Sequence, residues 1–133
     1  MADRGNSDIL FLNRGLGNKK KYKEIKMYKL EFYVPESHCE EVKNAVFTAG
    51  AGRQGNYSHC CWQTLGDGQF LPLDGSNPFI GQSGELEKVR EFKVEMICEK
   101  KFIHEVIEAL KKAHPYEEPA YSIFEMAEID KIM

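Results

Sequence analysis

With 133 residues, 42% of them hydrophobic and 29% charged, the chain has enough apolar material for one compact core and too little length for a second. No apolar stretch approaches the roughly 20 residues of a membrane-spanning helix, and the first residues lack the charged-then-apolar order of a secretory leader, so a cytoplasmic protein with no membrane partner is expected. Residues 1–26 hold seven Lys or Arg against three Asp or Glu, and the remainder eleven against eighteen. The acidic body argues against a nucleic-acid groove, and the Lys19-Lys20-Lys21 run reads as part of a solvated, flexible basic extension. Cys39, Cys60, Cys61 and Cys98, with no C-x-x-C pair, read as reduced thiols rather than a disulfide framework.

Folding is expected to start near Met27, giving a single domain over residues 27–133. Tyr28, Leu30, Phe32 and Val34 alternate with Lys29, Glu31 and Tyr33, the pattern of a half-buried strand. Val34-Pro35-Glu36 ends it, and Ser37 with Glu40 three residues later predicts a capping box opening a helix. Cys39, Val42, Val46 and Ala49 share one side of that helix, and Gly50 supplies its left-handed end. Residues 57–65 suit a second strand with Cys60 and Trp62 facing inward. The Gly- and Pro-rich connection over 66–88 is far longer than a hairpin of about 2–5 residues. Its Phe70, Leu71, Leu73, Phe79 and Ile80 must bury themselves against something, a second subunit included. Residues 89–98 alternate Phe92, Val94, Met96 and Cys98 with charged residues, a third strand. Ile103, Val106, Ile107 and Leu110 then stand at i, i+3, i+4, i+7 in a helix over 100–113, stopped by Pro115. Ala120 to Met126 is a final apolar segment whose inward face is open between Tyr121/Ile123 and Phe124/Met126. This order predicts an α+β, ferredoxin-like βαββαβ sandwich: a four-stranded antiparallel sheet with two helices on one face.

Three motifs bear on chemistry. Gly50-Ala51-Gly52-Arg53-Gln54-Gly55 matches G-x-G-x-x-G, but a dinucleotide site needs a strand before it and a helix after it, and here the order is inverted. A flexible turn packed through small residues is expected instead, with an anion nest around Arg53 as the alternative. His59 and Cys61, at i and i+2 on the open face of the second strand, could join Glu91 or Glu95 of the third strand around copper or zinc; a divalent metal ion is the one cofactor this pattern admits. His114-Pro115-Tyr116-Glu117-Glu118-Pro119 is a stiff connector that presents Tyr116, Glu117 and Glu118, with His114 placed to favour the helix C-terminus. Adjacent Glu117 and Glu118 diverge in most conformations and make a poor catalytic pair.

Five strings in order carry a family resemblance: Gly55-Asn56-Tyr57-Ser58-His59-Cys60, Gly66-x-Gly68-x-Phe70-x-Pro72, Asn77-Pro78-x-Ile80-Gly81, Glu87-x-Val89 and Ala113-His114-Pro115-Tyr116-Glu117-Glu118. Over residues 27–126 the chain resembles the YqfO-type insert domain found within the NGG-interacting-factor-three-like family. The His-Pro-Tyr-Glu string is also similar to one in CutA, the divalent-ion-tolerance family, and the insert is regarded as sharing the fold of CutA and the PII regulators. The resemblance implies a homo-oligomer, a trimer favoured over a dimer, with its loops and the His114–Pro119 connector at subunit contacts. It does not carry over the two-metal hydrolase chemistry of the enclosing domain, which has no counterpart here.

The expected function is a non-catalytic, oligomeric ligand-binding or regulatory module, with Tyr57, His59, His114, Tyr116, Glu117 and Glu118 as ligand or interface residues. The alternative is a copper- or zinc-binding, metal-tolerance protein using His59 and Cys61. A third reading is a small hydrolase built on His114, Tyr116 and Glu117 with Cys61.

Overall fold

The computed structural model describes residues 26–129, so the expected basic extension lies, Lys26 apart, outside the described residues. Strand β1 (Met27–Pro35) runs through a 3-10 turn into helix α1 (Cys39–Ala49); β2 (Trp62–Phe70) and β3 (Glu87–Glu99) follow, then a second 3-10 turn, α2 (Ile103–Ala113) and β4 (Tyr121–Glu125). The strand order is β2-β3-β1-β4, with every neighbouring pair antiparallel. This is the ferredoxin-like arrangement that the element order predicts.

The two central strands hold the core because only they have apolar residues at every second position. Leu30, Phe32 and Val34 of β1 pair with Met96, Val94 and Phe92 of β3, and their side chains meet one face of each helix. Helix α1 contributes Cys39, Val42, Val46 and Phe47, and α2 contributes Ile103, Val106 and Leu110. Burial of each such Val, Leu or Phe is worth about 1.5–3 kcal/mol, so this one layer supplies most of the stabilisation. The four cysteines are free, with Cys39 and Cys98 inside; burial pushes the Cys98 thiol up to about 11. By register Tyr121 and Ile123 of β4 take the helix side, opposite Phe32 and Leu30, which decides the face that the sequence leaves open.

The sheet's other face carries no helix. Its centre is a lattice of charges: Glu31 stands directly across from Glu95, and Lys29 bridges them at 3.3 and 2.8 Å, with Lys93 3.7 Å from Glu31. The domain closes where it opens, because the Met126 amide donates to the Met27 carbonyl at 3.0 Å. Among the described residues no helix is long and apolar enough to cross a membrane.

Three expectations are corrected. The capping box does not form: the chain enters α1 through the 3-10 turn Glu36–His38, Ser37 pairs with the His38 ring, and Glu40 pairs with Lys43. Residues 57–61 are not strand. Gln54 and Tyr57 exchange both backbone hydrogen bonds at 2.9 Å around Gly55-Asn56, and β2 begins only at Trp62. Trp62 does not face the core. It is paired with Glu95 on the open face and is 70% exposed, while Gln63, opposite Val94, takes the helix side. There Lys43 of α1 donates to Gln63 at 2.7 Å, so a polar contact seats β2 where an aromatic one was expected.

The G-x-G-x-x-G run is the packed turn anticipated. Gly50 has φ +125° and Gly52 φ +78°; a side chain on Gly52 would press 2.6 Å from the Phe47 ring. The Gly52 amide donates to Ile97 and its carbonyl accepts from Cys60, both at 2.8 Å, which ties the turn to the sheet.

Candidate functional site

The site is assembled at the end of the sheet where β1 runs into α1. Residues 71–86, between β2 and β3, fold back over the open face and meet the connector between α2 and β4. Between them lies a cleft of about 510 Å³, a size within the range of small-molecule pockets. Its floor is Tyr33, Gly68, Phe70 and Glu91 of the sheet, its roof runs from Leu71 to Ile80, and its side wall is Tyr116, Glu117, Glu118 and Ala120.

The connector is pinned to β1 by backbone chemistry. His114 is 5% exposed; its Nε2 lies 2.7 Å from the Tyr33 carbonyl and its Nδ1 accepts the Tyr116 amide at 3.1 Å. With Nδ1 accepting, the proton sits on Nε2, and the ring is the neutral tautomer donating to Tyr33. Burial holds its pKa below the ordinary value of 6.5; the Tyr33 bond and Glu91 oppose this and His38 adds to it. The expected role at the helix C-terminus, which favours a cation, is thus replaced by that of a neutral tie. The Tyr33 amide donates to the Ala120 carbonyl at 3.2 Å, so both polar groups of this residue's backbone go to the connector.

Tyr116 donates its hydroxyl to Glu91 Oε2 at 2.7 Å. Burial first, and then the Glu91 bond, push the tyrosine pKa up, so it stays a proton donor. The Glu91 carboxylate lies against Gly68, where any side chain would collide with it. Glu117 Oε1 accepts the Asn77 amide at 2.9 Å, which fastens the 71–86 segment to the connector. The Tyr116 ring has its centre 6.1 Å from Phe70 and 6.4 Å from Phe79, and Phe79 meets His38 edge-on at 5.3 Å. The long connection therefore buries part of its apolar content on its own chain, although Leu73 and Phe79 are still 69% and 51% exposed.

Of the expected ligand residues, the structure brings Tyr116, Glu117 and Glu118 to the cleft, with His114 behind them. Tyr57, His59 and Cys61 are elsewhere. They precede β2, whose nine residues at about 3.3 Å each separate them from Phe70. His59, with φ +60°, lays its ring 4.8 Å from Phe47 of α1, and Ser58 Oγ lies 3.0 Å from its Nδ1. The carboxylates proposed to join His59 and Cys61 are committed otherwise, Glu91 to Tyr116 and Glu95 to Lys29, whose bond holds the Glu95 carboxyl below its ordinary value. Among the described residues no three His, Cys, Asp or Glu side chains are grouped to hold a metal ion. Sequence reasoning did not place Tyr33, Gly68 or Asn77 in a site. The available signal was Gly66-x-Gly68, a side-chain-free stretch on one strand beside a charged third strand.

No protein-family model matches the chain. A protein of Halalkalibacterium halodurans called GTP cyclohydrolase 1 type 2 homolog is 46% identical over 101 residues, 76% of this chain and 27% of that protein. A Bacillus cereus protein related to NIF3 matches in structure with a TM-score of 0.67 and 38% identity over 90% of this chain and 31% of the other. The periplasmic divalent cation tolerance protein CutA of Archaeoglobus fulgidus gives a TM-score of 0.56 at 15% identity, over 80% of this chain and 89% of that one, a likeness of fold. The chain therefore spans between a quarter and a third of the length of its two closer-matching relatives here.

Proposed function

From the premise that this chain is a homologue of one segment of the NIF3-related proteins, as the sequence resemblance implied, we propose that it is a non-catalytic, self-associating ligand-binding or regulatory module. The observation that carries this reading is the cleft itself, about 510 Å³ lying between the 71–86 segment and the connector, with walls fixed by Tyr116–Glu91 and Asn77–Glu117. Its lining residues are mainly apolar and aromatic. The one aliphatic hydroxyl there, on Ser76, donates to the Leu73 carbonyl at 2.7 Å, and no base accompanies it. Such a wall binds and orients; its one hydroxyl–carboxylate pair, Tyr116 with Glu91, is a phenol whose pKa is pushed up, which makes it a poor nucleophile.

Self-association follows from what the roof leaves outside. Leu71, Leu73, Phe79 and Leu86 are exposed within one segment, and Trp62 and Phe124 are exposed on the open sheet face. The apolar side chains gathered along the 71–86 segment mark a surface that another copy can cover. Light scattering on the eluting protein at micromolar concentration is expected to give a multiple of 15.3 kDa, three copies favoured over two. Leu73→Asp should lower that mass. A monomer under all conditions would overturn the assembly, and phosphoester, ester or amide turnover would overturn the non-catalytic reading.

A further inference from the structure

We infer that the cleft takes an organic cation, a protonated amine or quaternary ammonium carried on an apolar body. This inference rests on the reading of the cleft as a ligand site and names the class of ligand. Its lining includes three carboxylates, Glu91, Glu117 and Glu118, and no Lys, Arg or His. A phosphate or carboxylate ligand would meet like charge at the floor and at the side wall, whereas a cation is attracted to both.

The aromatic rings point to the same class independently. Phe70 and Phe79 both lie near Tyr116, with ring centres 6.1 and 6.4 Å away, so three aromatic rings line the same cleft as the carboxylates. The electron-rich face of an aromatic ring attracts a cation within about 6 Å, and such rings combined with an acid are the usual means of holding an ammonium group. Gly68 makes room for Glu91: lacking a side chain, it lets the carboxylate pack against the β2 backbone at the floor of the cleft. Glu91 and Glu117 are each fastened through one oxygen, to Tyr116 and Asn77, so both carboxylates are held in place at the cleft.

The test is calorimetric titration of the full chain with three probes of one size: phenethylammonium, the uncharged 3-phenylpropanol and phenyl phosphate. Phenethylammonium is expected to bind at least about tenfold tighter than the alcohol, and phenyl phosphate not at all. Glu91→Gln should weaken the ammonium about tenfold and leave the alcohol unchanged. Should that variant fail to fold, exposed Glu118→Gln must still shift the ammonium and spare the alcohol. Equal binding of ammonium and alcohol, or preference for the phosphate, would overturn the cation while leaving a ligand cleft in place. Binding of none of the three overturns the inference as well, and the module's self-association is then judged by its own mass measurement.

Discussion

His114 shows how much one side chain can hold together when both of its nitrogens are engaged. A second proton on Nδ1 would face the Tyr116 amide and cost the connector the internal bond that fixes Tyr116 to the imidazole, while the Nε2 tie to β1 stays. Because burial lowers the folded-state pKa below 6.5, the unfolded chain binds the extra proton first as pH falls. The stability linked to this residue is therefore complete above about pH 6.5 and is lost as pH drops through the unfolded value towards the folded one. Urea unfolding at pH 7.5, 6.5 and 5.5 should show the midpoint falling with pH. In His114→Gln it should start about 1–3 kcal/mol lower and depend less on pH across this window. Equal slopes in the two proteins would assign the dependence to another group. The sequence singled out His114 but could not show its role, because its partner is a backbone carbonyl 81 positions away, and a carbonyl leaves no mark on residue type.

Helix α2 was legible because its burial is periodic: Ile103, Val106 and Leu110 are inside and Ile107 packs at the rim, the same four positions that the spacing selects. Leu110→Ala should cost about 2–5 kcal/mol in unfolding free energy, against less than about 0.5 for Lys112→Ala on the water side. A similar cost for both would mean that α2 is not seated on the sheet through this face. Strand β2 was legible as a strand, but its bounds and faces were not. Its inward positions include Gln63, Asp67 and Gln69 and its outward ones include Trp62 and Phe70, so alternation by hydropathy assigns the faces in reverse. An edge strand touches the core on one flank only, and a lysine from α1 suffices to seat it. The capping box failed for a related reason: a tight 3-10 turn already occupies the start of α1, and Ser37 turns to the neighbouring imidazole.

For the whole molecule, the succession of strands and helices determines the sheet order, since short connections and hairpin pairing leave few alternatives. What the order does not reveal is how 16 residues between β2 and β3 are folded, because that depends on Asn77 meeting Glu117 and Phe79 meeting Tyr116 across large sequence distances. The meeting of Met27 and Met126 has a separate consequence at this scale. Joining these residues by a short glycine linker and opening the chain between Gly55 and Asn56, in the exposed turn, should give a circularly permuted protein with the same circular dichroism and a single unfolding transition. A permutant that melts without cooperativity would show that the original chain order is required. A unit whose two ends leave side by side can be spliced into a loop of a larger host without prying that host apart. This geometry gives a physical reason why such a unit can form about a quarter to a third of a longer relative.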